Sequence, residues 1–415
     1  MKRLLALALL TACSDSGTTE IPEVRSDVNR ELQPNVTATE YSALVTGNTE
    51  FAADLYRAVR EEPGNLFMSP HSISIALAMT YAGASTNTAA QMADTLHFTL
   101  PPAQLHAAFN KLDLELASRA ANASGDTIPF RLTTANSIFG QKDKTFEQPF
   151  LDALARNYGA GLRVLDFLTD PEGARLTIND WVEDKTNDKI KELLPQGSID
   201  NGTRLVLTNA IYFSAAWEEP FPVSGTADRP FYLSNEQSVS VPTLHQVHER
   251  GYGAGEGYRA AELPYDGGQL SMVVVVPDDL ATFEATLDAT RINSIMDSLS
   301  THLLDLTLPK FSFDAPLGLK DVLYGLGMVD AFTAAADFSG IDGTRNLVIT
   351  DVLHKGFVAI DEKGTEAAAA TAVIIGETSA PEPATLVVDR PFMFFIRDIP
   401  TGAILFVGRV VDPRS

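Results

Sequence analysis

One cysteine, Cys13, is the whole thiol complement of the 415 residues, so no disulfide can close within the chain. A fold exposed to an oxidising compartment would have to be held by its core alone. Positive charge is scarce: 31 Lys and Arg stand against 54 Asp and Glu, a formal charge of −23. Nucleic-acid affinity comes chiefly from Lys and Arg on phosphates, so this balance argues against nucleic acid and against an anionic polysaccharide. Its plainest consequence is solubility. After the N-terminus no apolar run is long enough to cross a bilayer. Met272-Val273-Val274-Val275-Val276 stops at Pro277 and reads as a buried strand. Seven histidines and many carboxylates are present, but there is no G-x-S-x-G elbow and no H-E-x-x-H zinc motif. No enzyme, cofactor or metal site is expected.

The N-terminus gives the lone cysteine a context. Lys2 and Arg3 precede the apolar stretch Leu4 to Leu10, and Leu10-Thr11-Ala12-Cys13 looks like a bacterial lipobox. Residues 1–12 then read as a lipoprotein signal peptide, with Cys13 as the lipidated first residue. A plain signal peptide with a chance cysteine is the alternative. Residues 13–45, rich in Ser, Thr, Asp, Glu, Asn and Pro, read as a flexible membrane tether. The expected location is extracytoplasmic, lipid-anchored to an outer membrane or cell surface, or secreted. Ser14 after the cysteine, with no aspartate there, favours the outer membrane.

Residues 46–415 read as one domain. Phe51 to Arg60, Ser72 to Ala82 and Ile178 to Leu194 have helical spacing. Strand-like runs follow at Leu205 to Phe213, Leu270 to Val276, Leu306 to Phe313, Leu347 to Ile360, Phe392 to Ile396 and Ala403 to Val407. Helices early and strands late predict an α+β fold with large, mostly antiparallel sheets.

Several ordered motifs resemble one family. They are Asn65-Leu66-Phe67-Met68-Ser69-Pro70-His71-Ser72-Ile73, Ala135-Asn136-Ser137-Ile138-Phe139, Ile178-Asn179-Asp180-Trp181-Val182, Thr208-Asn209-Ala210-Ile211-Tyr212-Phe213 with Trp217, and Asp389-Arg390-Pro391-Phe392 through Gly408-Arg409-Val410. Together they resemble the serpins. The resemblance implies the serpin fold, with about three β-sheets, eight to nine helices and an exposed reactive-centre loop near residues 362–386. It implies a shutter cluster of Ser69, Ser72, Asn209 and His354, and places Trp217 at the breach where the loop first enters. Taken singly, each of these polar residues reads as a satisfied core residue. The implied partner is a serine protease, or else a cysteine protease, held covalently by a monomer.

The hinge is Glu362, Gly364, Thr365, Glu366, Ala367, Ala368, Ala369, Ala370 and Thr371. Propensity alone would make this stretch a helix. The other reading is a strand in waiting, whose alternate residues must enter a closed sheet. Thr365, Ala367, Ala369, Thr371, Val373 and Ile375 carry no charge, and the first four are small, while Glu366 falls on the solvent parity. This resembles inhibitory serpins, which act as suicide substrates. A non-inhibitory serpin serving as a binding module is the alternative. Counting from Gly364 by the family's spacing puts the reactive bond at Thr378-Ser379; counting back from Pro391-Phe392 gives Ala380. No Lys, Arg or aromatic residue lies between Lys363 and Arg390, which points to an elastase-like or subtilisin-like target. Glu377 leaves a glutamyl-specific protease as the second choice.

Overall fold

A computed structural model describes residues 21–121, 130–234, 237–365 and 381–414. The expected signal peptide (residues 1–12), Cys13, Glu366 to Thr371 and the expected reactive bond Thr378-Ser379 lie outside the described residues.

Two hydrogen-bonded strand networks carry the fold. The first has seven strands in the order Glu23–Val24, Leu162–Leu165, Arg131–Gln141, Leu205–Ala216, Gly364–Thr365, Val352–Ile360 and Phe311–Gly318. Leu205–Ala216 is buried along its whole length because both faces are covered. Leu207, Ile211, Phe213 and Ala215 enter the main core. Val206 and Ala210, on the other parity, pack with Ala174, Ile178 and Val182 of the helix Pro171–Lys185, which crosses that face. The period-2 alternation of side chains thus splits one strand between two apolar clusters.

The second network has nine strands. Ser238–Gly255 joins its parts: Ser238 to Thr243 pair with Ala227–Tyr232, Thr243 to Tyr252 with Ser300–Pro309, and Gly251 to Gly255 with Tyr258–Pro264. A third sheet is therefore continuous with the second through one long strand. At the centre, Leu270–Pro277, Phe392–Asp398 and Ile404–Val410 are almost wholly buried. Gly408 is required there, since a Cβ would lie 2.2 Å from the Phe394 ring. Ten α-helices are present among the described residues, three of them six residues or shorter.

Three expectations are corrected. From residue 21 onward the tether is part of the folded body. Glu23–Val24 adds an edge strand to Leu162–Leu165, Arg30 bonds Asn110, and the helix Ala38–Val59 opens with a Thr37/Glu40 capping box. The polar composition is spent on caps and ion pairs, not on solvation. The helix expected to reach Leu194 stops at Lys185, since Asn187, Asp188 and Glu192 all take positive φ. The run Leu306 to Phe313 is two strands in different sheets, parted at Lys310.

Candidate functional site

The centre of the seven-stranded sheet contains a fork. Leu205–Ala216 and Val352–Ile360 run parallel and pair directly from Leu207 and Val352 as far as Tyr212 and Phe357. Beyond that the two strands separate. Gly364–Thr365 occupies the gap, with Gly364 opposite Ala216, and Thr365 opposite Ala215 on one side and Ile360 on the other. A tight turn brings the chain back: Asp361 N–H donates to Gly364 O at 3.1 Å, and Lys363 N–H to Asp361 Oδ1 at 2.8 Å. Only glycine fits position 364, where a Cβ would stand 2.2 Å from Ala215 O.

Aromatic side chains close the head of the fork. Thr365 is 1% exposed, and its Oγ1 lies 2.8 Å from the Tyr265 hydroxyl. Tyr265 stacks on Trp217, with ring centroids 4.7 Å apart and planes 11° off parallel. Trp217 in turn donates from Nε1 to Asp361 O at 3.0 Å and from its backbone N–H to Lys363 O at 2.8 Å. Phe221 N–H bonds Glu362 O at 2.7 Å. The Glu362 carboxylate accepts from Lys310 Nζ and from Thr226 Oγ1, each at 2.8 Å. Burial pushes the Glu362 carboxyl up, but these donors outweigh it and hold its pKa below the usual range.

Lower in the sheet the two strands are tied by polar side chains. Register sets Asn136 beside Asn209, and Asn209 beside His354, in one row across three strands. Asn209 Nδ2 donates to Ser72 Oγ and to Asn136 Oδ1, both at 2.8 Å. Ser72 Oγ donates to Asn136 Oδ1 at 3.0 Å, and Asn136 Nδ2 returns a bond to Ser72 O. Ser69 caps the helix Pro70–Tyr81, accepting from Ser72 N–H at 3.2 Å. The Ser69 backbone N–H donates to His354 Nε2 at 3.1 Å, so that nitrogen is the acceptor and Nδ1 carries the proton it gives to Asn209 Oδ1. Burial lowers the His354 pKa to about 3, keeping the ring neutral.

The structure therefore brings Ser69, Ser72, Asn209 and His354 together, and separately gathers Trp217, Glu362, Gly364 and Thr365. Sequence reasoning missed two participants. Asn136 had a signal in its motif but no visible partner, and Tyr265 had none. The serine–histidine contact is not the geometry of a nucleophile and its base. Ser69 Oγ donates to Leu405 O at 2.7 Å, and the imidazole meets the amide rather than the hydroxyl. A general base must reach the nucleophile's own proton.

Residues 46–413 match the family model described as "Serpin (serine protease inhibitor)". Among curated relatives, the leukocyte elastase inhibitor of Bos taurus is 40% identical over 383 residues, covering 89% of this chain and 99% of that one. An uncharacterized serpin-like protein of Methanosarcina acetivorans is 37% identical, covering 89% of this chain and 86% of that one. Among solved structures, the thermophilic serpin Tengpin in its native state superposes with a TM-score of 0.84 at 27% identity, covering 95% of this chain and all of that one. The chain belongs to the serpin family. Its kind of action is serpin-type protease inhibition.

Proposed function

We propose that this serpin is a single-use inhibitor that completes, after cleavage, the insertion that Gly364 and Thr365 have begun. The observation that carries the reading is the fork: two hinge residues sit between strands that are still zipped directly below them. A serine protease cuts the loop and forms an acyl-enzyme. The freed strand then runs down between Leu205–Ala216 and Val352–Ile360, dragging the protease with it. Inserting about 15 residues gains about 10–15 backbone bonds, worth roughly 10 kcal/mol before ordering costs. Loss of one oxyanion-hole donor costs a protease about 3 kcal/mol of transition-state stabilisation, so insertion must leave a net gain of at least that size, which requires strain stored in a metastable native fold.

The target reading is an elastase-like or subtilisin-like protease cutting at Thr378-Ser379. It is supported by the small and aliphatic residues of the loop, and by relatives named for elastase. The test is to mix the protein with such proteases, resolve the products in denaturing gels, and sequence the released peptide. A complex resistant to denaturant with a peptide starting at Ser379 is expected. A peptide starting at Thr378 would assign a glutamyl-specific target, and simple turnover without a complex would sink the trapping mechanism.

Anchoring through Cys13 completes the proposal and is supported by Leu10-Thr11-Ala12-Cys13. In cells, labelled fatty acid should enter the wild type and not Cys13→Ser. Equal labelling of the two would remove the anchor.

A further inference from the structure

The described chain enters the fold at the lower end of the seven-stranded sheet. Glu23 pairs with Arg163, Arg163 with Phe139, and Phe139 with Val206, near the start of the strand Leu205–Ala216. Ile21, two residues earlier, is buried and packs with Phe139 and Phe167. The head of the fork lies at the other end of that strand, about 33 Å away at about 3.3 Å per residue. Cys13 precedes Ile21 by eight residues, which span at most about 29 Å when fully extended. A lipid on Cys13 would therefore keep this end near the bilayer. The same end presents an exposed leucine on a loop tip. Leu168 lies between the strand Leu162–Leu165 and the helix Pro171–Lys185 and is 53% exposed. Its backbone N–H donates to Gln141 Oε1 at 3.0 Å, which holds the loop against the strand end. Lys142 and Lys144 follow Gln141 and are exposed, and Lys144 and Arg204 line one small cleft there. The carboxylates beside Leu168 are engaged within the loop. Asp166 accepts from Lys142 Nζ at 2.9 Å and Thr169 N–H at 3.0 Å, and Asp170 from Gly173 N–H at 3.0 Å.

We infer that this end of the molecule is a docking surface for an anionic lipid bilayer, on which Leu168 dips among the headgroups while Lys142 and Lys144 meet their phosphates. An apolar side chain flanked by lysines suits the boundary between headgroups and acyl chains. The charge distribution sets the same orientation. Residues 130–204 are near balance, with ten Lys and Arg against twelve Asp and Glu, whereas residues 217–310 carry five against fourteen. The second segment builds most of the nine-stranded network and brings Glu218 and Asp266 beside the head, where their backbone N–H groups bond Pro264 O and Ala216 O. Repulsion from anionic lipid therefore turns the head outward. In the cell this orientation rests on the proposed anchor at Cys13. It also bears on trapping: a protease dragged toward the lower end meets the membrane there, so complex formation must lift that end off the lipid.

The test uses the full chain with its Cys13 thiol coupled to a maleimide-bearing lipid, so that it does not depend on lipidation in the cell. The vesicles are phosphatidylcholine with about 30% phosphatidylglycerol, which supplies the anionic surface. A donor dye is attached through p-azidophenylalanine at one of two exposed positions, and energy transfer is read to an acceptor on the headgroups. Asn201 lies in the turn before Leu205–Ala216, and Val223 is 71% exposed beside the head. Transfer should be about twofold higher from Asn201, given the roughly 33 Å between the two ends. Leu168→Glu combined with Lys144→Glu, both at exposed positions, should leave the urea midpoint unchanged and bring the two readings level. Vesicles of phosphatidylcholine alone should narrow the gap. Equal transfer from the two positions in the wild type, or higher transfer from Val223, would overturn the orientation. An undiminished gap in the double variant, or on phosphatidylcholine alone, would overturn the docking surface. Failure of Cys13 to take up fatty acid in cells would remove the natural anchor and leave these readings as they stand.

Discussion

The head and the middle of the same strand pair are built from different chemistry. At the head, Leu205–Ala216 and Val352–Ile360 are already apart, and the gap is sealed by backbone hydrogen bonds and the Trp217–Tyr265 stack. In the middle they are joined directly, and beneath the ladder lies a side-chain cluster running from Asn136 through Asn209 to His354. Apolar packing interdigitates and resists sliding, whereas a hydrogen-bond set can break and reform with new partners. The head thus fixes where a strand enters, and the middle sets how hard the sheet is to part. Breaking either region should have a distinct signature.

The largest effect is expected at the head. Thr365→Arg places a charge at a position that is 1% exposed, between Ala215 and Ile360, where Thr365 Oγ1 now meets the Tyr265 hydroxyl. Burying it unpaired costs several kcal/mol, so insertion stalls while the acyl-enzyme hydrolyses. The variant should be cut at the same bond as a substrate, with at least tenfold more protein consumed per protease inactivated. Full complex yield would show that the strand does not enter here.

Acid should act on the middle through His354 and, outside the strand pair, through His71 and through His106 of the helix Pro102–Ser118, whose Nδ1 meets the Tyr158 hydroxyl. Burial lowers the pKa of His354 to about 3, and of His71 and His106 to about 4. Their unfolded pKa values lie near 6.5. Between about pH 6.5 and 4 the unfolded chain therefore binds more protons than the folded one, and stability falls as pH falls. Each ring contributes about 1.4 kcal/mol per pH unit, roughly 4 kcal/mol per unit for the three. Urea midpoints at pH 7.5, 6 and 5 should drop progressively. A flat profile across that window would mean the rings are not buried and neutral. Next in size comes Asn209→Ala, which strips partners from Ser72, Asn136 and His354 at once. The expected loss is about 2–4 kcal/mol in equilibrium unfolding. A loss below 0.5 kcal/mol would leave the middle no stronger than its backbone ladder.

Much of the fold was legible in sequence because its signals are local. Met272 to Val276 and Phe392 to Ile396 are continuous apolar runs, and they emerged as buried central strands. The Ser69-Pro70 start was equally local, an N-cap followed by proline at the first helical position. What stayed hidden depends on register between distant segments. Asn136 joins Asn209 and His354 only because three strands align to the residue. Tyr265 meets Thr365 across 100 positions of sequence. The N-terminal stretch misled for another reason: polar composition describes a solvated tether and a capped, ion-paired segment equally well, and only tertiary contacts such as Arg30 with Asn110 separate them. For the loop itself, the parity of Thr365 is visible in the fork, whereas that of Ala367, Ala369 and Thr371 rests on alternation alone.

The smallest effect separates the latch at the head from the lock in the middle. Glu362→Gln keeps the shape of the side chain and its capacity to accept from Thr226, but removes the charge that holds Lys310. The pair is only partly shielded, with Lys310 33% and Glu362 12% exposed, so its loss is worth less than about 1 kcal/mol. Equilibrium unfolding should hardly move. The turn from Asp361 to Gly364 would nonetheless be freer to peel from Phe221 and Trp217, whose backbone bonds it shares. Loop insertion should then speed up modestly, about two- to threefold, as read by a fluorophore on the loop after cleavage. Raised salt should mimic the substitution in the wild type and have no effect on the variant. If Glu362→Gln instead unfolds the protein as readily as Asn209→Ala does, the head carries stability as well as position, and the division between the two regions fails.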